Sequence, residues 1–141
     1  MEKKITLVIP AKNESESLPR VLDELKKCKF KISIVLEPSD KKTLNSIKKF
    51  KNKTLIFQKN KGYGNAIKLG LKKVKTQYFC IFNADGSFNP KEIKDFSKII
   101  QNKQADVVFG SRYEKRGESD DDTLITYIGN KAFTLIGKIF F

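Results

Sequence analysis

The sequence predicts an α/β domain with a mostly parallel sheet covered by helices on both faces. Five short runs, "KITLVIP", "KISIVLE", "TLIFQ", "YFCIFN" and "ADVVFG", are rich in β-branched and aromatic residues and almost continuously apolar. Strands buried on both faces read this way, whereas half-exposed strands alternate apolar and polar residues. Amphipathic segments of helical period lie between the runs, and this alternation is the signature of parallel strands.

The elements follow in order. The amino terminus "MEKKITLVIPAK" carries basic residues, but its apolar run is too short for a signal peptide. It reads as a first strand and predicts a cytoplasmic protein. Asn13 and Glu16 have the spacing of a capping box. Leu18, Val21, Leu22 and Leu25 then mark one face of a helix. Past the second and third runs, Ile67, Gly70, Leu71 and Val74 form another apolar stripe. After the fourth, Asn89 as N-cap, Pro90 at the first helical position and Glu92 at the third open a helix. Its apolar face is Ile93, Phe96, Ile99 and Ile100.

The chain closes with "TLITYIGNKAFTLIGKIFF". Leu124, Ile125, Ile128, Ala132, Leu135, Ile136 and Ile139 recur mostly at spacings of three and four, and Phe133 and Phe140 widen the apolar face. Asn130, two glycines, Lys131 and Lys138 interrupt the segment, which argues against a buried transmembrane helix. One reading is a helix in the membrane interface, its lysines toward anionic headgroups. The other is a helix that caps the sheet or packs against another copy of the chain in a homo-oligomer. The expected organisation is an α/β domain over 1–122 and an amphipathic helix over 123–141.

The bulk numbers narrow the classes. A chain of 141 residues, 39% hydrophobic and 32% charged, suits one soluble globular domain. Lys and Arg outnumber Asp and Glu by 29 to 16, a formal charge of +13 that favours anionic partners. The lysines are also scattered as on any solvated surface. A nucleic-acid-binding domain would rest on charge alone, without a recognition motif or aromatic platform, and is not expected. There is no histidine, and Cys28 and Cys80 lie far apart, which excludes histidine catalysis, zinc ligation and a disulfide framework.

Ligands of open α/β sheets bind outside the carboxyl ends of the strands. The loops there are "PAKNES", "EPSDKKT", "NKGYGNA", "NADGSFNP" and "GSRYEKRGESDDD". In "NKGYGNA" two glycines lead into a helix, which either lets backbone amides approach an anion or makes a tight turn. "NADGSF" clusters Asn83, Asp85 and Ser87. Asp-Gly is a common turn, yet one carboxylate at a strand end also suffices to share Mg²⁺ with a diphosphate. The last loop sets Arg112, Lys115 and Arg116, suited to phosphate, beside Glu118 and Asp120, Asp121 and Asp122. The aspartates read as helix capping.

Taken together, "VIPAKNESESLPRVLDEL", "NKGYGNAIKLGL", "FNADGSFNPKEI" and "VVFGSRYEKRGESDDDTLITYIGNKAF" resemble a family 2 glycosyltransferase of the Rossmann-like GT-A fold. The likeness is strongest to dolichyl- and polyprenyl-phosphate sugar transferases, and it spans almost the whole chain. It implies a nucleotide pocket at Pro10, Ala11, Asn13 and Glu14, which match the family's "VIPxYNE". It implies Lys61 and Gly64 near the nucleotide, and Asn83 and Ala84 beside it. The family's DxD metal motif falls on "NADGS", so Asp85 inherits the diphosphate role and, with Asn83 and Ser87, a Mg²⁺ or Mn²⁺ site. "GSRY" matches the acceptor-phosphate loop, assigning that task to Arg112, with Lys115 and Arg116 near it.

Two departures matter. The family's "DDGS" after the second strand is here Leu36, Glu37, Pro38 and Ser39, leaving the base or ribose contact to Glu37 or Asp40. The first acid of the DxD is Asn83, which removes a negative charge. Family domains generally continue past this point, often into membrane segments, so a truncated chain is also an expectation. The expected activity is inverting transfer from a nucleotide diphosphate sugar to a lipid phosphate at an anionic membrane surface, the protein being peripheral on the inner face of the cytoplasmic membrane. The alternative is a degenerate or truncated nucleotide-sugar-binding protein without turnover.

Overall fold

The computed structural model describes residues 4–102, 105–110 and 124–140; in the last segment, side chains are described for 128, 129 and 131–137. The chain forms two compact units, Met1–Asp106 and Val107–Phe141.

In the first unit the elements run β1 (Ile5–Pro10), α1 (Ser17–Leu25), β2 (Lys31–Leu36), α2 (Lys41–Ser46), β3 (Thr54–Phe57), α3 (Tyr63–Lys72), β4 (Tyr78–Ile81) and α4 (Pro90–Gln101). The four strands form one sheet in the order β3-β2-β1-β4, all pairs parallel. All six residues of β1 are buried, which explains the almost unbroken apolar run.

Side chains alternate across the sheet and build two cores. Leu7 and Ile9 of β1 and Ile34 and Leu36 of β2 join Leu18, Val21, Leu22 and Leu25 of α1 and Ile93 of α4 on one face. Val8, Val35 and Ile56 meet Ala66 of α3 on the other. Each fully buried aliphatic side chain contributes about 1.5–3 kcal/mol. On the second face α3 lies unusually close. A Cβ on Gly70 would run into the side chain of Val8 and stand 3.0 Å from Cγ2 of Val35. Glycine is needed there for contact with the sheet, and the start of α3 is thereby set at the sheet's carboxyl edge.

Two expectations need correction. The fifth run does not form a strand: residues 105–110 carry no regular structure, with Val107 63% and Phe109 86% exposed. β-propensity is realised only with cross-strand partners and burial, and among the described residues this run pairs with no strand and is mostly exposed. The Asn13–Glu16 capping box is also absent. Helix α1 starts at Ser17, Glu16 is already helical in φ and ψ, and no side chain caps the end. Asn13 is drawn into a different contact. The α4 start is as expected: Asn89 Oδ1 accepts from the Lys91 amide at 3.0 Å, and Pro90 follows.

The second unit contains α5 (Leu124–Phe140). Among the described residues, no helix is long and apolar enough to cross a membrane. Ile128, Phe133, Leu135 and Ile136 of α5 are exposed.

Candidate functional site

The carboxyl ends of the strands and the start of α3 enclose a cleft of about 420 Å³. Its first wall is the β1–α1 loop. The β1–β2 ladder runs on past the strand, the Ala11 amide donating to the Val35 carbonyl at 2.9 Å. Asn13 then takes a left-handed turn, φ 60°. Its amide donates to Asp40 Oδ2 at 2.8 Å, and the Glu14 amide donates to Thr43 Oγ1 at 3.0 Å. Asp40 is meanwhile the N-cap of α2, its Oδ1 accepting from the Thr43 amide at 3.2 Å. One carboxylate thus joins the β1 exit to the β2 exit. Burial pushes the Asp40 carboxyl up, but the Asn13 and Thr43 hydrogen bonds outweigh it, and the group is held below its ordinary value.

Beyond β2, Glu37 is mostly buried, its side chain 14% exposed, with Oε1 3.6 Å from Lys12 Nζ. That oxygen accepts no hydrogen bond. Beyond β3, the Gln58 amide donates to the Leu36 carbonyl at 3.1 Å, which fixes the residue at the sheet edge. Gly62 is the N-cap of α3 at φ 110°, a conformation that favours glycine. The helix therefore starts at the cleft with unsatisfied amides.

Beyond β4, the Phe82 amide donates to the Val8 carbonyl at 3.0 Å and carries the ladder to the cleft. Phe82 packs edge-on against Phe88, with centroids 5.7 Å apart. Between them the chain turns: the Ser87 amide donates to Asp85 Oδ1 at 2.9 Å, and Gly86 takes φ 88°. Asp85 is exposed and lines the cleft. The turn expected of Asp-Gly is therefore present, and the same aspartate stands in the cleft wall. Asn83 Oδ1 accepts from Tyr63 Oη at 3.4 Å, and its Nδ2 donates to Ser87 Oγ at 3.1 Å. This chain of contacts links the start of α3 to the β4 exit.

Of the residues singled out from sequence, Pro10, Ala11, Glu14, Asn83, Ala84 and Asp85 line the cleft. Asn13, Glu37, Asp40 and Ser87 act behind it through the contacts above. Lys61 precedes the α3 cap and accepts from Asn65 Nδ2 at 2.8 Å through its carbonyl. Gly64 is exposed, and a Cβ added there would meet nothing within 4 Å, so no close approach requires glycine. Arg112, Lys115, Arg116, Glu118 and Asp120–Asp122 lie outside the described residues. The cleft also takes in Lys12, Gln58, Gly62, Tyr63 and Ala66, which the sequence does not single out by role. Lys12, Gly62, Tyr63 and Ala66 lie in the strand-exit loops "PAKNES" and "NKGYGNA", where the strand-exit rule points. Gln58 closes the third apolar run and reads there as part of the strand.

No group of three or more His, Cys, Asp or Glu that could hold a metal occurs among the described residues. A single carboxylate with amide and hydroxyl oxygens close by suits a cation shared with a ligand's phosphates, not one caged by protein. Burial raises the Cys80 thiol, which makes it a poor nucleophile.

The chain is similar to several known proteins. An uncharacterized protein of Methanocaldococcus jannaschii, MJ1222, is 28% identical over 137 residues, covering 94% of this chain and 56% of that protein. The UDP-N-acetylglucosamine--dolichyl-phosphate N-acetylglucosaminyltransferase of Methanococcus voltae is 29% identical over 156 residues, covering 96% and 62%. The dolichyl-phosphate beta-glucosyltransferase ALG5A of Trichomonas vaginalis is 30% identical over 128 residues, covering 77% and 40%. The chain thus spans about half the length of the curated relatives it matches. Residues 6–139 match the family model for glycosyl transferase family 2. With a parallel α/β sheet of the GT-A kind and a cleft at its carboxyl edge, the chain belongs to glycosyl transferase family 2.

Proposed function

We propose that this chain is the donor-binding part of an inverting glycosyltransferase that moves a sugar from a nucleotide diphosphate sugar to a polyprenyl or dolichyl phosphate. One observation carries the reading: the Pro10–Glu14 loop, the amino end of α3 and Asp85 meet in a single cleft. Two of the relatives are named as dolichyl-phosphate sugar transferases, which supports the lipid phosphate acceptor. In the proposed reaction an acceptor phosphate oxygen attacks the anomeric carbon. The bond to the nucleoside diphosphate breaks in line, and that group leaves with the electron pair. A phosphate acceptor is already ionised near neutral pH, so a chain without histidine needs no strong general base.

Backbone amides at the start of α3 suit the donor diphosphate. Asp85, with the oxygens of Asn83 and Ser87, would hold Mg²⁺ or Mn²⁺ against it. Such an ion neutralises charge developing on the leaving group. Arg112, with Lys115 and Arg116, would take the acceptor phosphate. The exposed apolar residues of α5, beside Lys131, suit an interface helix on an anionic membrane, which would make the protein peripheral on the cytoplasmic face.

A second reading, nucleotide-sugar binding without turnover, is favoured by Asn83. Its amide is engaged by Tyr63 and Ser87 where the family pattern has an acid. One assay separates the two: labelled UDP-, GDP- and dTDP-sugars offered with polyprenyl phosphate, with Mn²⁺ or with chelator. Labelled lipid formed only with metal supports transfer. Nucleotide binding without labelled lipid supports the second reading, and absence of both sinks each.

A further inference from the structure

Gln58 is the most buried polar residue in the cleft, 6% exposed, and its Oε1 is enclosed without a hydrogen-bond partner. A buried amide oxygen left unpaired costs the desolvation of that group, so the free protein carries a penalty that a bound donor would remove. Position supports a ligand as its partner. Gln58 leaves β3 and Asp85 follows β4, at the two ends of the order β3-β2-β1-β4. Three inter-strand spacings separate those strands, about 14 Å. That span suits an extended nucleoside diphosphate, its phosphates toward Asp85 and its base toward Gln58. Pro10 and Ala11 supply apolar surface between the two ends.

We infer that Gln58 is a specificity-determining residue whose carboxamide reads the imide edge of the donor's nucleobase. This rests on the nucleotide-sugar reading of the cleft. On binding, the carboxamide turns toward the cleft so that its oxygen accepts the ring N–H and its nitrogen donates to the adjacent ring carbonyl. Uracil and thymine present this pair, and guanine presents it through N1–H and O6. Cytosine and adenine offer an amino group beside an unprotonated ring nitrogen, which reverses the order.

The test titrates UDP, dTDP, GDP, CDP and ADP, each with Mg²⁺, into the unaltered chain and into Gln58→Leu. One of the imide nucleotides should bind most tightly to the unaltered chain. Gln58→Leu should weaken that nucleotide about ten- to hundredfold and bring its preference over CDP close to one. Because the carboxamide oxygen bonds nothing in the protein, the variant without ligand should melt at the same temperature or higher. CDP or ADP binding most tightly, an unchanged preference in the variant, or a melting point lowered by several degrees overturns the inference. If the unaltered chain binds no nucleoside diphosphate, the nucleotide reading itself falls and this inference with it. If it binds one and the variant binds equally well, only the role of Gln58 falls.

Discussion

Asp40, after β2, and Asp85, after β4, each accept a backbone amide a few residues ahead, at 3.2 and 2.9 Å. Both leave the same edge of one parallel sheet. Asp40 has its second oxygen bonded by the Asn13 amide, 27 residues away in sequence, and sits behind the cleft as a staple between loops. Asp85 organises its own turn and stands exposed in the cleft wall. Two acids of like origin thus divide into one that ties two loops together and one that stands in the cleft wall. What separates them is how each carboxylate is placed: one bonded between two loops, the other within its own turn at the cleft wall.

The largest effect that would test this division is at Asp85. Asp85→Ala should lower metal-dependent transfer by about a hundredfold or more, since a cation-bound diphosphate is worth several kcal/mol of leaving-group stabilisation. Thermal unfolding should change little, because the turn that Asp85 organises is exposed. Donor titration with and without Mn²⁺ checks the point. Unchanged metal dependence would return Asp85 to the role of a turn residue.

Asp40→Ala should show the opposite profile. Losing a helix cap and the Asn13 staple together should cost about 1–3 kcal/mol of stability in denaturant titration. Donor binding by the folded fraction should fall far less than in Asp85→Ala. The sign with pH follows from the depressed carboxyl. Its stabilisation is fully present above the ordinary value of 3.8 and is lost as pH falls through the lower folded value. The stability gap between the unaltered chain and Asp40→Ala should therefore be constant near neutrality and close in acid. A gap that widens in acid contradicts the staple.

This division is only partly visible in the sequence. The strands β1 to β4 are plain because their runs are β-branched and nearly continuously apolar, although only β1 is buried along its whole length. The α1 stripe is plain too, and all four of its residues are buried. The strand-exit rule leads to Pro10, Ala11, Glu14 and Asp85 because parallel topology alone brings those loops to one edge. The Asn13–Asp40 bond has no local signal: Asn13 sits three residues before a glutamate and looks like a helix cap, but its amide is satisfied from another loop. Gly70 falls within an apolar stripe, while its actual requirement is steric and depends on Val8 and Val35 across the layer. The run "ADVVFG" misleads for the converse reason, since its composition suits a strand but no partner ladder forms there.

The smallest expected effect is at Asn83, and it asks whether the cleft-facing role belongs to Asp85 alone. Asn83 accepts from Tyr63 Oη and donates to Ser87 Oγ. In Asn83→Asp a carboxylate oxygen can keep the Tyr63 contact. The Ser87 hydroxyl can rotate to donate where it formerly accepted, so the network survives with one bond reversed. What changes is charge: a second carboxylate now stands two residues from Asp85. Cation affinity rises with the number of charged ligands, so Mn²⁺-dependent donor binding should tighten by about tenfold or less. Without metal the added charge faces the donor's diphosphate directly, and binding should weaken. Opposite shifts in calorimetric titrations with and without Mn²⁺ would place residues 83 and 85 around one ion. Equal weakening in both would mean that Asn83 serves only to tie α3 to the β4 exit, leaving Asp85 as the one residue of that exit that acts on the ion.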